Sequence, residues 1–293
     1  MRDFVILTDS CCDLSAELAE KLGVEAAPLQ LSLDGKEYRN LLDGSEIGFE
    51  EFYEKVRAGA MPTTSAVSVG DFTERMRSML EAGKDILCIC FSSALSTTYQ
   101  SAVIAAEDLR SEFPEGKVLV VDSLNASLGQ GLLVYLCAQQ KAAGRTLDEV
   151  HAYAEDIKHK VCAWFTVDDL NHLKRGGRIS AATAMFGTML SIKPVMHVDE
   201  TGHLVAVSKA RGRKASLLAL VDEMEKAAVN PAEQTVFISH GDCREDAELV
   251  AQEIRRRFGT KDIIIHCVGP VIGSHTGCGV VALFFVGKER ETL

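Results

Sequence analysis

Residues 85–102 read DILCICFSSALSTTYQSA, and the reading of that stretch decides the fold. Residues 86–91 are apolar without alternation, so a strand here has both faces buried, as in a parallel sheet covered by crossover helices. From Ser96 onward the pattern becomes helical. The same succession occurs twice more. FVILTD at 4–9 precedes a capped helical segment from Asp13 to Leu22, and KVLVVDS at 117–123 precedes GQGLLVYLCAQQKAAG at 129–144. Three strand-then-helix units predict an α/β domain built on a parallel sheet.

Between and after these units the helical period is explicit. Phe49, Phe52, Tyr53 and Val56 follow the i, i+3, i+4, i+7 rule after a Ser45 cap, and Phe72, Met76, Met79 and Leu80 follow it after Asp71. Thr146 with Glu149 forms a capping box that opens a helix running to about His159. A boundary near 160 follows, giving an N-terminal α/β domain over 1–160 and a C-terminal α/β domain over 161–293. The second half has a different rhythm: IKPVMHVD, a tight ETGH turn and LVAVSKA predict an antiparallel hairpin over 192–210. A helix from about Arg213, the strand TVFISH, the helix REDAELVAQEIRRRF, the strand DIIIHCVG and a last apolar run ALFFVG complete it. The expected result is a mixed sheet facing the parallel one, with a ligand cleft between two domains.

Composition narrows the function. The 293 residues are 47 % hydrophobic, 25 % charged and 6 % aromatic, with a net charge of −11, which repels nucleic-acid phosphate and anionic membrane. No apolar stretch approaches the ~20 residues of a membrane span. The opening MRDFVILTDS has no cleavage signature, so it reads as a strand and not a signal peptide. Among the nine cysteines, Cys11 and Cys12 are adjacent and no CxxC pair occurs, which predicts buried thiols of a reducing cytoplasm in place of a disulfide or zinc framework. The histidines are scattered, predicting no metal site. His240 reads as a satisfied turn residue, and His151, His159 and His172 read as helix-surface residues.

The chemistry concentrates in hydroxyl-rich stretches placed at strand ends or helix starts: MPTTSAVS at 61–68, SSALSTTYQSA at 92–102 and DSLNASLGQG at 122–131. Gathered at the carboxyl edge of one sheet, such hydroxyls and helix-start amides form a donor set for an anionic oxygen group, either carboxylate or phosphate. GPVIGSHTGCG at 269–279 adds a histidine on a glycine-rich exit from a strand. No Walker A loop and no complete GxGxxG is present, so a nucleotide reading is weak. An enzymatic alternative pairs Ser96 as nucleophile with His275 as base, although FSSALST is not a G-x-S-x-G elbow. LKRGGRIS at 173–180 and SKARGRK at 208–214 place basic clusters on an acidic chain, a pattern suited to partner docking or to facing phosphate.

Taken in order, TDS with a following Asp-Leu pair, PTTS at 62–65, SSALSTTYQSA, DSLNASLGQG, LKRGGRIS, SIKPVMHVDETGHL and GPVIGSHTGCG resemble the DegV family from end to end. The resemblance implies a bacterial, cytoplasmic two-domain protein, without stable membrane insertion, that holds one long-chain fatty acid in a tunnel between its domains. It implies a non-catalytic subunit, without cofactor or metal, that presents the carboxylate to a fatty acid kinase catalytic subunit for phospholipid synthesis. Thr64, Ser96 and the Thr97 amide would bind the carboxylate, and His275 would complete that end. Ser65 and Ser123 would be further pocket residues, and Arg175, Arg178 and Arg211 candidates for the docking surface. The chain departs from the family pattern at Ala66 (Gln expected), Thr97 (Gly expected) and Cys278 (Pro expected); a side chain at Thr97 is expected to crowd the carboxylate. A serine esterase and a lipid sensor without a kinase are the alternative functions.

Overall fold

The computed structural model describes residues 2–179 and 192–290. Its first sheet is built from the predicted apolar runs: β1 (Phe4–Asp9), β6 (Asp85–Cys90) and β7 (Val118–Asp122), with β2 (Val24–Ala27) added at one edge in the order β2-β1-β6-β7. All its pairings are parallel. Residues Ile86 to Cys90 are each fully buried, which is why that run carries no alternation. Helices α1 (Ala16–Leu22), α3 (Val69–Glu81), α4 (Thr98–Arg110), α5 (Leu128–Ala142) and α6 (Leu147–Ile157) accompany this sheet.

A three-stranded antiparallel sheet was not expected. It takes β3 (Gln30–Leu33) at its centre between β4 (Lys36–Arg39) and β5 (Thr63–Ser65), followed or interrupted in sequence by α2 (Phe49–Arg57). The PTTS stretch is therefore itself a strand rather than a helix start. Two predicted caps also shift. Ser45 does not cap α2, whose N-cap is Gly48; the Ser45 amide instead donates to Asp43 in a turn at 3.0 Å. Ser68 caps α3 by accepting from the Asp71 amide, so Asp71 lies inside the first turn, where its negative charge meets the positive helix end. Helix α1 likewise starts later than Asp13, at a Ser15 cap. The Thr146–Glu149 capping box is formed.

The larger sheet is mixed and six-stranded, in the order β10-β9-β8-β13-β11-β12. Its strands are β8 (Val161–Thr166), β9 (Ile192–Val198), β10 (Leu204–Arg211), β11 (Val236–His240), β12 (Ile263–Cys267) and β13 (Val281–Val286), with α7 (Asn171–Arg175), α8 (Arg213–Ala227), α9 (Arg244–Phe258) and α10 (Pro270–Thr276) between them. The predicted hairpin is β9–β10, antiparallel with a bulge between Ala206 and Ser208. Among the described residues of this sheet, only β11 and β12 pair in parallel.

Helix α5 joins the two sheets. It packs on β1 and β6 on one side and on β8, β11 and β13 on the other, and Leu128 to Val134 are all buried. A helix that is apolar all round is explained by such a position. One core consequently includes Leu7 and Ile89 of the first sheet together with Phe165 and Phe284 of the second. A separate core lies between the outer face of the large sheet and α8 and α9.

Candidate functional site

Between the two sheets lies a cavity of about 410 Å³, within the size range of small-molecule sites. Its wall is largely apolar, with Phe91 and Leu95 from the first sheet's edge and Ala163, Phe165, Ala282 and Phe284 from the second sheet. Thr64, Ser65, Ser96, Thr97 and His275 all line it, so the structure brings together the residues singled out on three different stretches. Among the described lining residues only Arg178 carries a formal charge, since His275 is neutral: burial, followed by the nearby Arg178 guanidinium, lowers its pKa to about 4.

Thr64 sits on β5 opposite Leu31 of β3, and its Oγ1 is 2.8 Å from His275 Nε2. His275 reaches this point because α10 is pressed closely onto α2. A Cβ at Gly273 would stand 2.7 Å from both the Phe52 ring and the Tyr53 hydroxyl. The Tyr53 hydroxyl donates to the Val268 carbonyl at 2.9 Å, and the Gly269 amide donates to Asp13 Oδ1 at 3.0 Å. Thus the glycine-rich exit from β12 serves close helix packing, which in turn aims the histidine.

Ser96 lies just before α4, and its Oγ accepts from the Thr98 amide at 3.2 Å and is 2.9 Å from Thr98 Oγ1. The Ser96 hydroxyl is thus engaged with Thr98, and His275 Nε2 with Thr64; the Ser–His pair of a hydrolase is not formed. Thr97 is the N-cap of α4 at φ −78°, a value any residue adopts, so the threonine imposes no backbone strain in place of glycine. Its position puts the site at the positive end of that helix. Ala66 is half-buried in the wall, and the Cys278 thiol donates to the Tyr53 carbonyl at 3.6 Å.

Other candidates fall elsewhere. Ser123 is buried and does not line the cavity; its hydroxyl accepts from the Asn125 amide and donates to the Asn125 carbonyl, each at 3.2 Å. The hydroxyl that reaches the cavity from DSLNASLGQG is Ser127, turned inward by a backbone at φ 53°, a strained value for a side-chain-bearing residue. Ser127 donates to Asp13 Oδ2 at 2.6 Å and lies 3.0 Å from the Ser239 hydroxyl. Asp13, fully buried, has its pKa raised to about 7 by desolvation. Residues of this kind carry no local signal in the sequence, because a strand end, a loop and a distant strand meet only in three dimensions.

The basic residues separate. Arg178 lines the cavity, its Nε donating to the Leu95 carbonyl at 3.2 Å, while a second nitrogen donates to the Gly176 carbonyl. Arg175 is exposed, with one guanidinium nitrogen 3.0 Å from His172 Nδ1. Both arginines line an outer groove of about 300 Å³ that shares Thr64 and His275 with the cavity and adds Pro62 and Ser274. His172 also lines that groove and is half-buried rather than a plain surface residue. Arg211 is exposed at the end of β10. Ser180, the last residue of LKRGGRIS, lies outside the described residues. His240 is buried, and its Nδ1 accepts from the Cys243 amide at 3.3 Å. The nine cysteines are all free thiols. Among the described residues no helix is long and apolar enough to cross a membrane.

A mostly apolar cavity, with Thr64 and a neutral His275 where it meets the outer groove, has the chemistry that suits an amphiphile. The family model described as "Uncharacterised protein, DegV family" matches residues 3–288, and the chain belongs to the DegV family. A DegV domain-containing protein of Clostridium perfringens is 47 % identical over 99 % of this chain and its own whole length. Among solved structures, a DegV family protein from Thermus thermophilus, described for its fatty acid binding, superposes with a TM-score of 0.86 at 34 % identity, covering 98 % of this chain and 100 % of that one. A DegV lipid binding protein from Thermotoga maritima gives 0.87 at 28 % identity, over 99 % and 100 %.

Proposed function

We propose that the protein binds a long-chain fatty acid in the cavity between its two sheets, acyl chain along the apolar wall and carboxylate at Thr64, Ser96 and the Thr97 amide, with His275 backing Thr64. The observation that carries this reading is the 2.8 Å Thr64–His275 pair on the wall of a largely apolar cavity, where that cavity meets the outer groove. Neutral donors fit a carboxylate that keeps its charge. The fatty acid and lipid binding of the two solved relatives agrees with it. Each buried methylene contributes roughly 0.8 kcal/mol, so the wall supplies most of the affinity and the hydroxyls supply orientation. In this reading residues 1–160 and 161–293 act as the two domains that enclose the ligand.

We further propose that the chain has no reaction of its own and presents the carboxylate through the outer groove to a fatty acid kinase catalytic subunit, which converts it to acyl phosphate. The groove's contact with both Thr64 and the arginines supports this, and Arg211 is offered as part of the surface that meets the kinase. Native mass spectrometry of the purified protein, followed by organic extraction, tests the binding. A stoichiometric free fatty acid is expected. A protein that remains empty when offered saturated and monounsaturated acids of 14 to 18 carbons would remove the function and leave the fold.

A further inference from the structure

Two adjacent glycines in LKRGGRIS differ in what they are for. Gly177 has φ +69°, and a Cβ there would meet nothing within 4 Å, so its role is conformational. Gly176 is the reverse. Its φ of −68° and ψ of −12° are helical values open to every residue, yet a Cβ on it would lie 2.2 Å from His275 Nδ1, 3.2 Å from Cε1 and 3.3 Å from Cγ. Glycine is required at 176 only because the imidazole occupies the space. The contact is reciprocated one turn away, where a Cβ at Gly277, the C-cap of α10, would stand 2.6 Å from the His172 ring on α7.

The bare Gly176 backbone also bears on the histidine's proton. His275 Nδ1 is inaccessible to solvent and finds no hydrogen-bond partner among the described residues, while Nε2 faces Thr64 Oγ1 at 2.8 Å. A neutral imidazole carries one N–H. On Nδ1 it would be a buried donor without an acceptor among the described residues, the kind of orphan that folded proteins avoid most strictly. On Nε2 it donates to Thr64 Oγ1, and the single Thr64 hydroxyl proton is then free to point into the cavity.

We infer that Gly176 is a positioning residue for the polar end: its missing side chain seats the His275 ring and holds it as the Nε2–H tautomer, which turns Thr64 into a donor toward the ligand. The last step rests on the proposed carboxylate site; the ring position and tautomer do not.

The test uses the full-length protein with ¹⁵N-labelled histidine, side-chain ¹⁵N–¹H correlation spectra, and the melting-temperature rise produced by palmitic acid. In the wild type the His275 signals, assigned with His275→Gln, should be those of the Nε2–H tautomer. Gly176→Ala should alter that spectrum and cut the palmitate-induced rise to the level of His275→Gln, with no additional loss when the two are combined. Gly177→Ala should lower the melting temperature of the free protein while leaving the His275 spectrum and the palmitate-induced rise unchanged. An Nδ1–H wild type, or a Gly176→Ala protein with wild-type spectrum and response, would overturn the inference. Should Gly176→Ala fail to fold, adding His275→Ala, which removes the ring, should restore folding; continued failure would equally overturn it. If His275→Gln itself leaves the palmitate response intact, the carboxylate site falls and the tautomer result is judged separately.

Discussion

The two parts of the cavity are built on opposite principles. Its apolar body is assembled from rigid strands and their edges, such as Ala163 and Phe165 of β8 and Ala282 and Phe284 of β13, whose side chains face α5 and the first sheet. Its polar end is assembled from short or irregular pieces: the three-residue β5, the turn before α4 and the seven-residue α10. The body needs only volume and dryness, which regular secondary structure provides. The polar end needs particular atoms at particular distances, and here each is held by a second residue, His275 behind Thr64 and Thr98 beside Ser96.

The largest effect that could break this division is in the body. Ala163→Phe fills space on a central strand, and retention of fatty acid through purification should drop by at least about 100-fold, equivalent to ~2.7 kcal/mol; native mass spectrometry that still finds a full complement would mean the chain lies elsewhere. At the polar end, Thr64→Val keeps the shape and leaves His275 Nε2 unpaired. Binding of palmitic acid should weaken by about 10-fold, or ~1.4 kcal/mol, measured by titration calorimetry. A loss as large as that of Ala163→Phe would show that the hydroxyls, and not the wall, dominate affinity.

A third prediction concerns Asp13, which links the two sides through Ser127 and Gly269. Its pKa is raised to about 7, with desolvation the leading cause. The folded state therefore binds the proton more tightly than the unfolded chain, and the stability that this provides is lost as pH rises toward and through 7. The buried His197, His240 and His275 act oppositely, since burial lowers each to about 4; they add stability as pH rises until the unfolded imidazoles have lost their protons, about one unit above 6.5. Between pH 6.5 and 7.5 the two effects oppose each other, so the Asp13 contribution is read by difference: the melting temperature of Asp13→Asn minus that of the wild type should increase as pH rises across that window. Parallel curves for the two proteins would place the titration elsewhere. The smallest effect is expected at the surface. Arg211→Glu should leave palmitic acid binding unchanged within error while reducing acyl phosphate formation with a cognate kinase; weakened binding would move Arg211 into the pocket.

Much of the fold was legible locally because burial on both faces writes itself as an unbroken apolar run. Residues 4–9, 85–90 and 118–122 are read that way, and the alternation of IKPVMHVD and LVAVSKA around ETGH marks the hairpin. The small sheet was not legible. Gln30–Leu33 and Lys36–Arg39 are short and mostly polar, and Thr63–Ser65 becomes a strand only because β3 lies beside it. The cap of α2 was misplaced for a related reason: Ser45 and Gly48 are both permissible ends, and the turn built on Asp43 decides between them.

For the site, residue type and order determined which side chains are donors, that they recur on three stretches at strand or helix ends, and that a histidine follows on a glycine-rich loop. The sequence alone also suggested hydroxyl-based chemistry for the polar end, since side-chain identity sets which groups can donate, but it did not show the Arg178 guanidinium beside His275. Only the tertiary structure decided that Ser127 and not Ser123 faces the cavity, that Arg178 lines it while Arg175 stays outside, and that Gly176 is shaped by His275. Those facts depend on distances between segments a hundred residues apart, and no local preference of the chain encodes a distance that arises only when two sheets close on one helix.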